Sequence, residues 1–139
     1  MGTRSTYRII ERAQGEEKPI ALIYMQYDGY PDGHPLETAQ FLENARVLNG
    51  FMASDANGGA AFNGAGCLAA RLVARLKGNS IGNCYLYSLV DRGNLSEDYM
   101  YDIIAEVGKP VEIVAYDYNE HEIFRGTAAE FVDKHGVTT

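Results

Sequence analysis

The sequence predicts an α+β domain: a mostly antiparallel sheet of about 5–6 strands with three helices on one face, in the order β-β-α-α-β-β-β-(β)-α. Three observations carry that prediction. Segments rich in β-branched and aromatic residues recur at 3–11, 19–28, 82–90, 99–107 and 110–118. Helical periodicity is confined to three places: one stretch after the second strand, one before the third, and the C-terminal end. Strands therefore come in runs separated from helices, unlike the regular alternation of a parallel α/β fold.

The first two strands, "TRSTYRIIE" and the run ending "IALIYMQYD", flank the polar "RAQGEEKP" and read as an antiparallel hairpin. In the second strand Ala21, Ile23, Met25 and Tyr27 share one face, while the other turns from Ile20 and Leu22 to polar Gln26 and Asp28. The first helix is expected to start near Pro35 and stop near Asn49-Gly50. "FMASDANGGAAFNGAG", 51–66, is expected to be a long surface loop. The second helix, 67–77, carries Leu68, Leu72 and Leu76 on one stripe and Arg71 and Arg75 on another, with Gly78 as its stop. Three strands follow, separated by the "EVGKPVE" turn and closed by the "DYNEHE" turn, with "EIFR" as a short further strand. Thr127 and Glu130 form a capping box that opens the last helix, and His135 and Gly136 mark its end.

The chain has 139 residues, the size of one domain spanning 1–139. A net charge of −7 argues against binding to duplex nucleic acid, which calls for a basic face. No apolar run reaches the length of a membrane span, and the polar start predicts no secretory leader. "MGTRST" formally fits a myristoylation pattern at Gly2, but the same residues run straight into a strand pattern. Cys67 and Cys84 have neither CxxC nor zinc spacing, so two thiols in a reducing cytoplasm are expected.

The segment "DGYPDGH", 28–34, joins the second strand to the first helix. Turn chemistry accounts for Asp28-Gly29, Asp32-Gly33 and Pro31, but not for Tyr30 and His34. A histidine and carboxylates near a helix start can orient a ligand or move a proton. The expectation is a turn that also forms one wall of a pocket, with Asp28, Tyr30 and His34 touching a ligand and Gln26 nearby. Asn63, in the Gly-rich run before the second helix, is a further polar candidate, with Phe62 beside it, although no P-loop pattern is present. Ten tyrosines and no tryptophan lie mostly on strand segments; most are sheet residues, and some suit stacking against a nucleobase. Arg4 and Arg8 share a strand face and offer phosphate or carboxylate recognition. His34, His121 and His135 are too dispersed to suggest a metal, and no cofactor is implied.

"MGTRST", "YDGYPDGH", "FNGAGCLAA" and "YLY", in this order, resemble a family of small proteins met in phages, prophages and some large DNA viruses. The resemblance covers about residues 1–90 and rests on Gly2, Thr3, Arg4 and Ser5; on Asp28, Gly29, Tyr30, Pro31, Gly33 and His34; and on Asn63, Gly64, Gly66 and Cys67. Pro35 stands where the family pattern has glycine. The resemblance implies a viral context and no particular reaction. The three blocks lie far apart in sequence, and the expectation is that a compact fold brings the first strand, the loop after the second strand and the start of the second helix to one edge of the sheet.

Three functions follow as expectations. The leading one is a small viral accessory protein in the host cytoplasm. It would bind a small polar, nucleotide-type ligand without turnover and so sequester a host immune signal. The second is an enzyme using His34 with Asp28 or Asp32. The third is an acidic inhibitor of a host protein. Exposed edge strands suggest a homodimer or higher homo-oligomer.

Overall fold

A computed structural model describes residues 2–48 and 61–136. Eight strands and three helices are described: β1 (Ser5–Ala13), β2 (Glu16–Met25), α1 (His34–Leu42), β3 (Arg46–Leu48), β4 (Ala61–Asn63), α2 (Gly64–Lys77), β5 (Cys84–Tyr87), β6 (Tyr99–Ala105), β7 (Glu112–Asp117), β8 (Glu122–Thr127) and α3 (Ala128–His135). The main sheet has the order β5-β2-β1-β6-β7-β8. All its pairings are antiparallel except β1 with β6. The α+β class and its mostly antiparallel sheet are as the sequence predicts.

The hairpin turns more tightly than the polar "RAQGEEKP" suggests. Gln14 and Gly15 both hold positive φ, 54° and 80°, so two residues reverse the chain with the twist that hairpins favour. Arg12 then meets Glu17 across the strands at 2.7 Å. Pro19 is accommodated where the register with β1 shifts between Ile9 and Ile10.

β1 lies at the centre of the sheet, and both Ile9 and Ile10 are buried. The helices cover the face that carries Tyr7, Ile9, Ile23, Met25, Tyr101, Ile103 and Ile113; Leu42, Leu68, Leu72 and Phe131 complete that core. Burying each such side chain contributes roughly 1.5–3 kcal/mol, so this layer dominates stability. On the opposite face, Ile10, Ile104 and Val114 form a small cluster. The buried Asp102 carboxylate lies on that face too. It accepts two hydrogen bonds from Arg8, Nε at 2.9 Å and Nη2 at 2.7 Å, and Arg92 approaches it at 3.5 Å. The 88–97 segment, with a short 3-10 helix at Leu89–Asp91, is tied to the sheet by buried Glu97, which accepts from Thr6 Oγ1 and from the backbone of Gly93 and Leu95.

Two boundaries differ from the sequence reading. The first helix stops at Leu42, because Val47 enters the core as part of β3, paired in parallel with β4 and its buried Phe62. Of the expected long loop, 61–66 are β4 and the first turn of α2, while 51–60 lie outside the described residues. Ala65 is buried at the start of α2, so glycines flanking it act within the helix start rather than as a linker. The capping box is formed as expected: Thr127 Oγ1 accepts from the Glu130 amide, and Glu130 accepts from the Thr127 amide at 2.8 Å.

Asp102→Ala is expected to cost about 3 kcal/mol, because it leaves two guanidinium groups facing a desolvated site without their carboxylate. Urea denaturation at neutral pH measures this, and a loss below about 1 kcal/mol would mean that the surrounding face is open to water.

Candidate functional site

The 28–34 segment is held from beneath by two tyrosines on neighbouring strands. Tyr7 of β1 and Tyr101 of β6 are register partners, both buried, with ring centroids 5.5 Å apart. The Tyr101 hydroxyl donates to the Gly29 carbonyl at 2.7 Å. The Tyr7 hydroxyl shares a 2.6 Å hydrogen bond with His34 Nδ1 and lies 3.2 Å from Thr38 Oγ1. Burial pushes both phenols far above their ordinary range, so both remain protonated.

The segment also grips itself and the start of the chain. The Gly29 amide donates to the Thr3 carbonyl, the His34 amide to the Asp28 carbonyl, and the Gly33 amide to the Tyr30 carbonyl. Asp28 holds a positive φ of 59°, which aspartate tolerates better than most residues. A β-carbon at Gly29 would strike the Ser5 side chain, and one at Gly33 would strike the Asp28 carbonyl. Both glycines are thus required by close approach.

His34 sits at the junction. Its Nε2 is 3.4 Å from Ser5 Oγ, while its Nδ1 meets Tyr7. Desolvation lowers its pKa to about 4 against the opposing pull of Asp28 and of the Tyr27 backbone, so the ring is neutral at pH 7. A neutral imidazole has one donor and one acceptor nitrogen, and here both face protein partners.

Above this layer lies an open cleft of about 500 Å³. Its walls include the half-exposed rings of Tyr27 and Tyr30, the carboxylates of Asp28, Asp32 and Glu37, and Arg75 near the end of α2. Asn83 closes one side: its Oδ1 accepts from the Tyr27 amide at 3.2 Å, and its carbonyl accepts from the Gln26 amide at 2.9 Å. The Arg75 guanidinium lies 4.7 Å from the Phe41 ring centre. The cleft therefore carries more negative than positive charge, with aromatic faces at its rim.

Of the residues singled out in the sequence, Asp28, Tyr30 and His34 meet in this cleft. Gln26 is adjacent through its backbone but is not part of the wall. Arg4 is exposed and holds Asp98 through its backbone amide. Arg8 is committed to Asp102 on the opposite face. Asn63 precedes the first turn of α2, whereas Arg75 and Leu76, near the other end of that helix, line the cleft. Fourteen helical residues rise about 20 Å, so the third sequence block does not join the first two. Sequence reasoning passed over Tyr7, Thr38, Glu37 and Asn83. Glu37 and Thr38 had a usable signal, since they lie one turn beyond His34 on the same helix.

Cys67 and Cys84 are both free thiols. Among the described residues, no three His, Cys, Asp or Glu side chains are grouped to hold a metal, and no helix is long and apolar enough to cross a membrane. No family model, no curated protein and no solved structure matches the chain.

The burial of neutral His34 predicts a pH dependence. Between about pH 6.5 and 4 the unfolded chain takes up a proton that the folded chain refuses, so stability falls as pH drops through that window, by roughly 3 kcal/mol. His34→Asn removes this titration. Urea denaturation of both proteins should show a smaller acid loss in the variant, and equal losses would place His34 in water.

Proposed function

We propose that the protein binds a small polar ligand in this cleft and releases it unchanged. The observation that carries the proposal is the pairing of two exposed tyrosine rings with three carboxylates over a rigidly held floor. A volume of about 500 Å³ lies in the range of small-molecule sites. Tyr27 and Tyr30 suit a flat ring, and the carboxylates accept from N–H groups on its edge. A nucleobase has both features. A phosphate has less support here, because Arg75 is the cationic group in the wall while Arg4 and Arg8 lie elsewhere. Binding without turnover is favoured by His34, whose two nitrogens are engaged and whose ring is held neutral by burial.

The viral setting belongs to the same proposal and rests on the sequence motifs. In that setting the ligand is a nucleotide-type host immune signal, and the protein acts by sequestering it in the host cytoplasm. Turnover is the second reading. It draws on the 2.6 Å Tyr7–His34 bond, which a proton relay would also use.

Incubation with a mixed panel of linear, cyclic and NAD-derived nucleotides, removal of free ligand, heat denaturation and mass spectrometry separate these readings. The expected result is one compound released intact and in stoichiometric amount, with retention reduced about tenfold or more by Tyr30→Ala. A new product would move the function to catalysis. A panel neither bound nor consumed would sink the nucleotide reading and favour a host-protein target of this acidic chain.

A further inference from the structure

We infer that the free edge of β5 is a homodimer interface, in which two copies pair β5 with β5 antiparallel about a two-fold axis at Leu86. β5 ends the sheet, with β2 on one side and no described strand on the other. Its surroundings gather large apolar side chains in solvent: Leu86 is 65 % exposed, Ile81 99 % and Val90 78 %, with Tyr85 and Tyr87 about half-exposed.

From Gly78 to Val90 no residue is charged, in a chain with 19 acidic and 12 basic residues. Open sheet edges are normally blunted by lysine, proline or inward charge. The opposite edge, β8, has such protection: Glu122 and Arg125 form an ion pair at 2.8 Å, and Lys134 donates to the Ile123 carbonyl. On β5 such protection stops at Cys84, whose carbonyl accepts from Lys77 Nζ at 3.0 Å, and no described charged group meets the Leu86 backbone.

The backbone pattern selects the partner. The Gln26 amide donates to the Asn83 carbonyl, and these two residues continue the β2–β5 register. In an alternating antiparallel ladder, Tyr85 and Tyr87 then bond to β2, while Cys84, Leu86 and Ser88 point outward. Cys84 is already served locally: its amide donates to the Gly82 carbonyl and its carbonyl accepts from Lys77 Nζ. The Ser88 carbonyl accepts from the Asp91 amide. Leu86 is left with an outward N–H and C=O. A long added strand from another protein would need all three outward positions. A two-fold axis at Leu86 needs one, because each copy's Leu86 N–H then meets the other's C=O.

Charge points the same way. Two copies that each carry −7 repel over most of their surface and can approach closely only where that surface is neutral. The 78–90 stretch contributes no charged side chain of its own, and the Lys77 ammonium beside it is engaged by the Gly82 and Cys84 carbonyls.

Sedimentation equilibrium of the full chain over a micromolar dilution series tests the inference. The expected species is a dimer of twice the 15.3 kDa chain mass. Leu86→Lys should weaken association at least about tenfold with an unchanged circular dichroism spectrum. Ile123→Lys, on the β8 edge, should leave it intact. Hydrogen exchange provides an independent readout: the Leu86 amide should become less protected on dilution. A wild-type chain of single mass throughout, a Leu86→Lys dimer of unchanged affinity, or a dimer broken by Ile123→Lys alone would overturn it.

Discussion

The hydroxyls of Tyr7 and Tyr101 impose the constraint on which the site depends. Both rings are required by the core, where they fill the centre of the sheet beneath the helices. Each ring brings a hydroxyl that cannot be left unpaired without a cost of about 1–3 kcal/mol. No water-facing route serves groups this deeply buried, so the chain above must supply partners. The 28–34 segment does so with the Gly29 carbonyl and the His34 ring. The same demand explains why that segment needs glycine at two close approaches and an aspartate at positive φ. Its shape is set from below, and the cleft is what remains above it.

That dependence also explains which parts of the molecule could be read from sequence. The hairpin, the strand runs and the last helix rest on local chemistry: alternation, turn residues and a capping box. Tyr30 and His34 were legible because turn chemistry does not call for them, and Asp28 because it stands in the same turn. Tyr7 and Tyr101 were not legible, because nothing local separates them from eight other tyrosines. Their roles arise from the parallel β1–β6 register, which joins residues 94 positions apart. Periodicity had the same limit at the end of α1. Leu42 and Ala45 keep helical spacing, so the pattern carries the helix past Leu42, while Val47 falls off that stripe and enters the core through the β3–β4 pairing.

Arg8 illustrates how register reassigns a residue. On sequence, an arginine one strand position from Tyr7 looks available to a ligand. The β1–β6 register sets it directly beside Asp102, and alternation sends both to the face opposite Tyr7. Asp102 is only 3 % exposed, so its charge requires the bidentate partner it has. Once that bond forms, releasing Arg8 to a ligand would expose the same desolvation cost that the pairing offsets. One strand thus feeds two polar systems: odd positions Ser5 and Tyr7 support the 28–34 segment, while even positions Thr6 and Arg8 hold the 88–97 segment and its neighbours.

Asn83 links the two proposals without making them one. Its side chain closes the cleft against Tyr27, and its carbonyl continues the ladder that leads into β5. It holds a positive φ of 75°, a conformation that asparagine adopts more readily than most residues, so the chain can turn there from cleft wall to sheet edge. Ligand contacts would act on its Oδ1 side and dimer contacts on the backbone beyond Tyr85. The residues in between are held by β2 and by Lys77, whose Nζ reaches the carbonyls of Gly82 and Cys84. A pinned connector of this kind transmits little motion. A charge placed at Leu86 therefore leaves the cleft's floor and carboxylates in position, and the two surfaces are separable in the molecule as well as in experiment.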